Sequence, residues 1–85
     1  MPQVIMYTTP ICPYCVRAKA LLRKKGVAVL EVDVFMNCDA RAEMELRSGG
    51  RYTVPQIFIG DRHVGGCDDL YALERAGELD VLLSS

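Results

Sequence analysis

Cys12-Pro13-Tyr14-Cys15 constrains this chain more than any other stretch, because it joins a strand-like run to a helical pattern. Upstream, Val4-Ile5-Met6-Tyr7-Thr8 is rich in β-branched and aromatic residues and runs into Thr9-Pro10, the composition of a strand entering a loop. Downstream, no breaker interrupts Pro13 to Lys25, and Gly26 stands where a helix cap belongs. Pro13 falls at the first helical position, where its missing N–H costs nothing. Cys12 then sits at or beside the N-cap, facing unpaired backbone N–H groups and the positive end of the helix dipole. Thiolates are stabilised in that setting, and thiols of Cys-x-x-Cys motifs at helix N-termini are more acidic than free ones. Cys12 is therefore the candidate nucleophile. Cys15 follows about one helical turn later, so its sulfur can reach Cys12 while being less exposed. It is the candidate resolving thiol, closing an intramolecular disulfide and releasing the second product.

Two blander readings compete with this one. A structural zinc half-site needs two further ligands, and the chain offers only Cys38, Cys67 and the single His63, with no second Cys-x-x-Cys. A pair of inert buried cysteines is disfavoured by the proline-started helix. No metal is expected. Cys38 has no partner at a telling spacing and reads as incidental.

Eighty-five residues are expected to form one domain, residues 1–85. A net charge of -1 gives no global argument for a nucleic-acid or membrane partner. No stretch approaches a membrane span, and Met1-Pro2-Gln3 lacks the basic start of a signal peptide. The expected compartment is the reducing cytoplasm, where the cysteines point to catalysis or metal rather than to a disulfide framework. Nothing suggests an obligate oligomer, so a monomer is expected.

Taken in order, the first helix runs from Pro13 to Lys25 with Val16, Ala18, Ala20, Leu21 and Leu22 as its inward set. Arg17, nearest the thiols, reads as solvated or as a lure for an anionic substrate. Val27 to Val34 is the second strand, parallel to the first through a right-handed crossover. Ala40 to Ser48 is a second helix of weak amphipathicity, ended by Gly49-Gly50. Thr53 to Ile59 is a third strand begun with Pro55, followed by a turn at Asp61 and a short return strand, His63 to Gly65. His63 reads as a surface residue. Gly65-Gly66-Cys67-Asp68-Asp69 opens another helix with acids in its first turn, as caps or as part of a carboxylate-receiving site. Leu70, Leu73 and Ala76 mark that helix's inner face, and Leu79, Leu82 and Leu83 form a last apolar turn. The order β-α-β-α-β-β-α gives an α/β fold, a mixed four-stranded sheet with helices on both faces.

Cys12-Pro13-Tyr14-Cys15, Thr53-Val54-Pro55 and Gly65-Gly66-Cys67-Asp68-Asp69, in this order and at these separations, resemble a bacterial dithiol glutaredoxin of the thioredoxin fold. The resemblance covers essentially the whole chain. It implies an exposed Cys12 nucleophile, a resolving Cys15, and a groove for glutathione. Tyr14 would pack beside the tripeptide, and Thr53 would line the groove. Pro55 would be cis, freeing the Val54 backbone to pair with glutathione's cysteine. The N–H groups of Cys67 and Asp68 would receive the γ-glutamyl carboxylate, with its ammonium near the Asp68 carboxylate. Cys67 itself reads as a packed thiol, or as a third redox participant. Thr8, Thr9, Pro10 and Ile11 stand where many relatives carry a lysine for the glycine carboxylate, leaving Arg47 or Arg51 as substitutes.

The activity so implied is glutathione-dependent reduction of protein disulfides and glutathione mixed disulfides. Its partners would be glutathione and disulfide-bearing or glutathionylated proteins, ribonucleotide reductase among the candidates. Two rivals stand beside it. One is a redoxin reduced by thioredoxin reductase, although the chain has no tryptophan for the usual Trp-Cys-Gly-Pro-Cys. The other is a non-catalytic iron-sulfur carrier, for which Pro13 and Cys15 are poorly suited.

Overall fold

The computed structural model describes residues 2–84. Its elements are β1 (Val4–Thr8), α1 (Pro13–Lys24), β2 (Val29–Asp33), α2 (Cys38–Arg47), β3 (Gln56–Ile59), β4 (Arg62–Gly65), α3 (Cys67–Arg75) and α4 (Leu79–Ser84). The strands form one four-stranded sheet in the order β2-β1-β3-β4. β1 runs parallel to β2, while β1 with β3 and β3 with β4 are antiparallel. The expected mixed sheet flanked by helices is the observed one.

Alternation along the central strands divides the apolar residues between two faces. Val4, Met6, Ile57 and Ile59 join Ala18, Leu21 and Leu22 of α1, Leu70 of α3 and Leu79 and Leu83 of α4 in the larger core cluster. Tyr7 and Phe58 point the other way and meet Ala40 and Met44 of α2. Truncating a fully buried Leu or Met in such a core costs roughly 2–5 kcal/mol. Polar contacts reinforce both layers. The Tyr7 hydroxyl donates to Glu43 Oε1 at 2.6 Å and accepts from Arg47 Nη1 at 2.8 Å, fastening α2 to the sheet. Lys25 Nζ lies 2.8 Å from Glu74 Oε2 and 3.0 Å from Asp80 Oδ1, tying the end of α1 to α3 and α4. No helix among the described residues is long and apolar enough to cross a membrane.

Several element boundaries differ from the expectation, each for a local reason. Gly26, at φ 76°, lets the chain leave α1 with its N–H on the Arg23 carbonyl and the Val27 N–H on the Leu22 carbonyl. That closure commits Val27 to the helix end, so β2 begins only at Val29. α2 starts at Cys38 rather than Ala40, because the Asn37 side chain accepts from the Ala40 N–H at 3.1 Å and caps the helix there. β3 starts at Gln56 rather than Thr53; Pro55 has no N–H to give, and pairing with β1 begins at Gln56 opposite Tyr7. β4 begins one residue early, at Arg62.

The inner face of α1 also needs correcting. Its buried residues are Cys15, Ala18, Leu21 and Leu22, whereas Val16 is 59% exposed and Ala20 also faces outward. The stripe is phased on Cys15, which packs as an apolar side chain. On α3, Leu70 is fully buried and Leu73 partly so, but Ala76 is exposed. It is the C-cap residue, where the chain is already turning away from the core.

Candidate active site at the thiol pair

Cys12 is the N-cap of α1 in extended conformation, with Pro13 in the first turn, as its sequence requires. Its Sγ accepts the Cys15 backbone N–H at 3.2 Å. That N–H is one of those an α-helix start leaves without an intrahelical acceptor, and the Cys12 sulfur is its partner. Both cysteines are unpaired thiols. The expected exposure of Cys12 is corrected: it is only 9% exposed, against 4% for Cys15. The cover comes from far along the chain, with Cys12 Sγ 3.9 Å from the Val54 carbonyl oxygen.

The two sulfurs differ in surroundings. Burial pushes the Cys15 thiol up to about 11, with its hydrogen bond to Cys12 adding to the effect and contacts with Thr8 and Thr9 opposing it. Cys15 borders a recess of about 370 Å³ with Thr8, Thr9, Pro10 and Lys19, separate from the groove on the other side of the motif. Cys15 is thus a protonated, screened thiol one turn behind Cys12.

A second groove, about 290 Å³, is lined by Tyr14, Thr53, Val54, Pro55, Cys67 and Asp68, together with Arg51, Gly66 and Asp69. All six groove positions expected from the sequence are brought together. The Val54-Pro55 peptide bond is cis. Opposite it, α3 begins at Cys67 after Gly66, so the first N–H groups of a helix face the groove. Burial pushes the Cys67 thiol up, partly offset by the Arg17 guanidinium. Arg17 itself lies over the Tyr71 ring at 5.6 Å.

The two acids of α3 have separate tasks. Asp68 is exposed in the groove, whereas Asp69 Oδ2 accepts from the Gly66 N–H at 2.9 Å and pairs with Arg51 Nη1 at 3.2 Å. The Gly66 bond first, then Arg51, hold the Asp69 carboxyl below the usual range against the opposing effect of burial. Of the two arginines proposed as lysine substitutes, Arg51 lines the groove. Arg47 does not; its guanidinium stacks on Phe58 at 4.5 Å and bonds Tyr7, in the cluster with α2. Sequence reasoning passed over Gln56, a fully buried polar residue whose signal was its place in the apolar run Gln56-Ile57-Phe58-Ile59. His63, expected at the surface, is half-buried with Nε2 2.7 Å from Gln56 Oε1. Among the described residues, no three His, Cys, Asp or Glu side chains are grouped as ligands of one metal ion.

Comparison with known proteins agrees with this arrangement. Residues 4–64 match the family described as Glutaredoxin. A curated relative, "Glutaredoxin" of Pseudomonas aeruginosa, is 59% identical over 85 residues and covers all of both chains. The solution structure of glutaredoxin from Brucella melitensis superposes with a TM-score of 0.84 at 63% identity, covering 98% of this chain and 89% of that one. A buckwheat glutaredoxin-glutathione complex superposes with a TM-score of 0.86 at 30% identity, covering 98% of this chain and 77% of that one. With the match running through the thiol pair, the cis-proline segment and the sheet that holds them, the chain belongs to the glutaredoxin family of thiol-disulfide oxidoreductases.

Proposed function

We propose that this protein uses glutathione to reduce glutathione mixed disulfides and protein disulfides in the reducing cytoplasm, with Cys12 as nucleophile and Cys15 as resolving thiol. The observation that carries the reading is the placement of Cys12 Sγ. It accepts an N–H of its own helix start and lies 3.9 Å from the carbonyl oxygen of Val54, a residue that lines the groove of about 290 Å³. The groove offers what a charged tripeptide needs. Val54 supplies backbone for antiparallel pairing with the central cysteine. The N–H groups of Cys67 and Asp68 suit the γ-glutamyl carboxylate, the Asp68 carboxylate suits the ammonium, and Arg51 suits the glycine carboxylate. Tyr14 forms a wall.

The chemistry is thiol-disulfide exchange. Cys12 thiolate attacks the glutathione sulfur of a mixed disulfide; a Cys12-glutathione bond forms, the original S–S bond breaks, and the electron pair leaves with the substrate thiolate, which takes a proton. A second glutathione thiolate attacks the glutathione sulfur on Cys12, releasing glutathione disulfide and restoring Cys12. With a protein disulfide, Cys12 thiolate attacks one sulfur, forming a Cys12-protein mixed disulfide and releasing the other sulfur as a thiolate that takes a proton. Cys15 then gives up its proton and attacks Cys12, the Cys12-protein bond breaks, and an intramolecular disulfide closes as the second protein thiol leaves. Two glutathione molecules then reopen that disulfide.

The test is steady-state turnover of a small glutathione mixed disulfide, run once with glutathione, glutathione reductase and NADPH and once with thioredoxin reductase and NADPH. Turnover in the first system and none in the second is expected. Reduction by thioredoxin reductase with no glutathione-dependent turnover would assign the protein to the flavoprotein-served redoxins instead.

A further inference from the structure

Three side chains beyond the thiol pair form one hydrogen-bonded chain that ends at the groove. Gln56 opens β3 with none of its surface exposed, and a buried amide needs its donors and acceptor met. Its Nε2 donates to the Thr53 carbonyl at 2.9 Å and lies 3.3 Å from Thr53 Oγ1. A carbonyl only accepts, so this contact fixes which end of the amide is nitrogen. Gln56 Oε1 therefore accepts, and its partner is His63 Nε2 at 2.7 Å. His63 must carry a proton on Nε2. Its ring packs against Phe58, centroids 4.9 Å apart, where β4 pairs with β3.

The Gln56 to Thr53 contact closes a loop around Thr53-Val54-Pro55. This segment lies outside the strands and contains the cis peptide bond, and its Val54 carbonyl meets Cys12 Sγ. Since Pro55 has no N–H, a side-chain amide supplies here a bond that the sheet cannot. The Thr53 carbonyl keeps Gln56 from turning over, because a flipped amide would aim its oxygen at that carbonyl, and His63 completes the buried amide by donating to its oxygen.

We infer that His63 and Gln56 are positioning residues, a relay from β4 that holds the Thr53-Val54-Pro55 segment in the geometry that receives the disulfide substrate. The role rests on the glutathione reading above and adds to it two residues that touch neither substrate nor sulfur. Losing the relay is expected to weaken substrate capture while leaving sulfur reactivity intact.

The test compares wild type with His63→Phe, which keeps a ring against Phe58 but removes the donor, with Gln56→Met, which removes the amide, and with His63→Gln, which offers an N–H at similar reach. For the glutathione mixed disulfide, KM is expected to rise roughly 5- to 30-fold in His63→Phe and Gln56→Met, as for one lost buried hydrogen bond. kcat and the rate of Cys12 alkylation by iodoacetamide stay within about twofold, and His63→Gln restores KM. Unchanged KM in a folded His63→Phe or Gln56→Met overturns the inference. So does an equal loss in Cys12 alkylation, or failure of His63→Gln to rescue. If His63→Phe does not fold, Gln56→Met decides; if neither folds, the relay is structural and the inference fails. A wild type with no glutathione-dependent turnover overturns the glutathione reading itself, and the positioning role falls with it.

Discussion

Cys12 and Cys15 share one helical turn, and their environments differ as the proposed roles require. Cys12 Sγ receives an N–H, whereas Cys15 is buried behind it with its thiol pushed up to about 11. A thiol kept protonated by the fold contributes stability in full below the ordinary thiol range, near ~8.5. Above it the unfolded chain loses its proton first, so that contribution disappears as pH climbs toward about 11. Urea unfolding across this interval is expected to show wild type losing stability that Cys15→Ser does not lose. Parallel slopes for the two proteins would contradict the assignment. The N-cap place of Cys12 was legible from Pro13 and the unbroken helical run behind it. The burial of Cys12 was not, because its cover is Val54, 42 residues away along the chain. Arg47 and Arg51 could not be told apart in sequence for the same reason: one stacks on Phe58 and the other pairs with Asp69, and both partners come from other elements.

The start of α3 is where one element does most to shape the groove. Gly65 has φ 118°, and a Cβ added there would collide with Asp69 Oδ2 and sit 2.9 Å from Arg51 Nη1. The glycine therefore lets Arg51 and Asp69 meet across the chain just before the helix. Gly65→Ala is expected to break that contact and to destabilise the protein by about 1–3 kcal/mol through backbone strain and the displaced capping carboxylate. Denaturant unfolding checks this, and a change below about 0.5 kcal/mol would show that the close approach is not required. The glycine pair and the acids were visible as a helix start. Which acid caps was not, since Asp68 and Asp69 differ only in which side of the turn they occupy. On α1 the helix was legible but its phase was not. Apolar residues lie on both sides of it, and Cys15, read for its chemistry, is also the core residue that sets the buried face.

At the scale of the molecule, the site follows from strand direction. β3 runs against β1, and β4 against β3, so the end of β1, the start of β3 and the end of β4 lie at one end of the sheet. That end gathers Cys12, the Thr53-Val54-Pro55 segment and Gly65-Gly66, three separate stretches of the sequence. The element order already contained this convergence, because a parallel pair followed by a hairpin leaves few topologies. What periodicity could not give was the division of the core. Tyr7, Phe58 and Met44 form one layer and Met6, Leu22, Ile57 and Leu70 the other. Arg47 is spent in the first layer rather than in the groove.

The central claim is that Cys12 is the sulfur that takes glutathione. Mixing Cys15→Ser and Cys12→Ser proteins separately with glutathione disulfide, then mapping adducts by mass spectrometry of peptides, tests it most directly. Cys15→Ser is expected to hold one glutathione on Cys12 and to release it to free glutathione, while Cys12→Ser forms no adduct at Cys15. An adduct on Cys15 of Cys12→Ser, or an unmodified Cys12 in Cys15→Ser, would contradict the account.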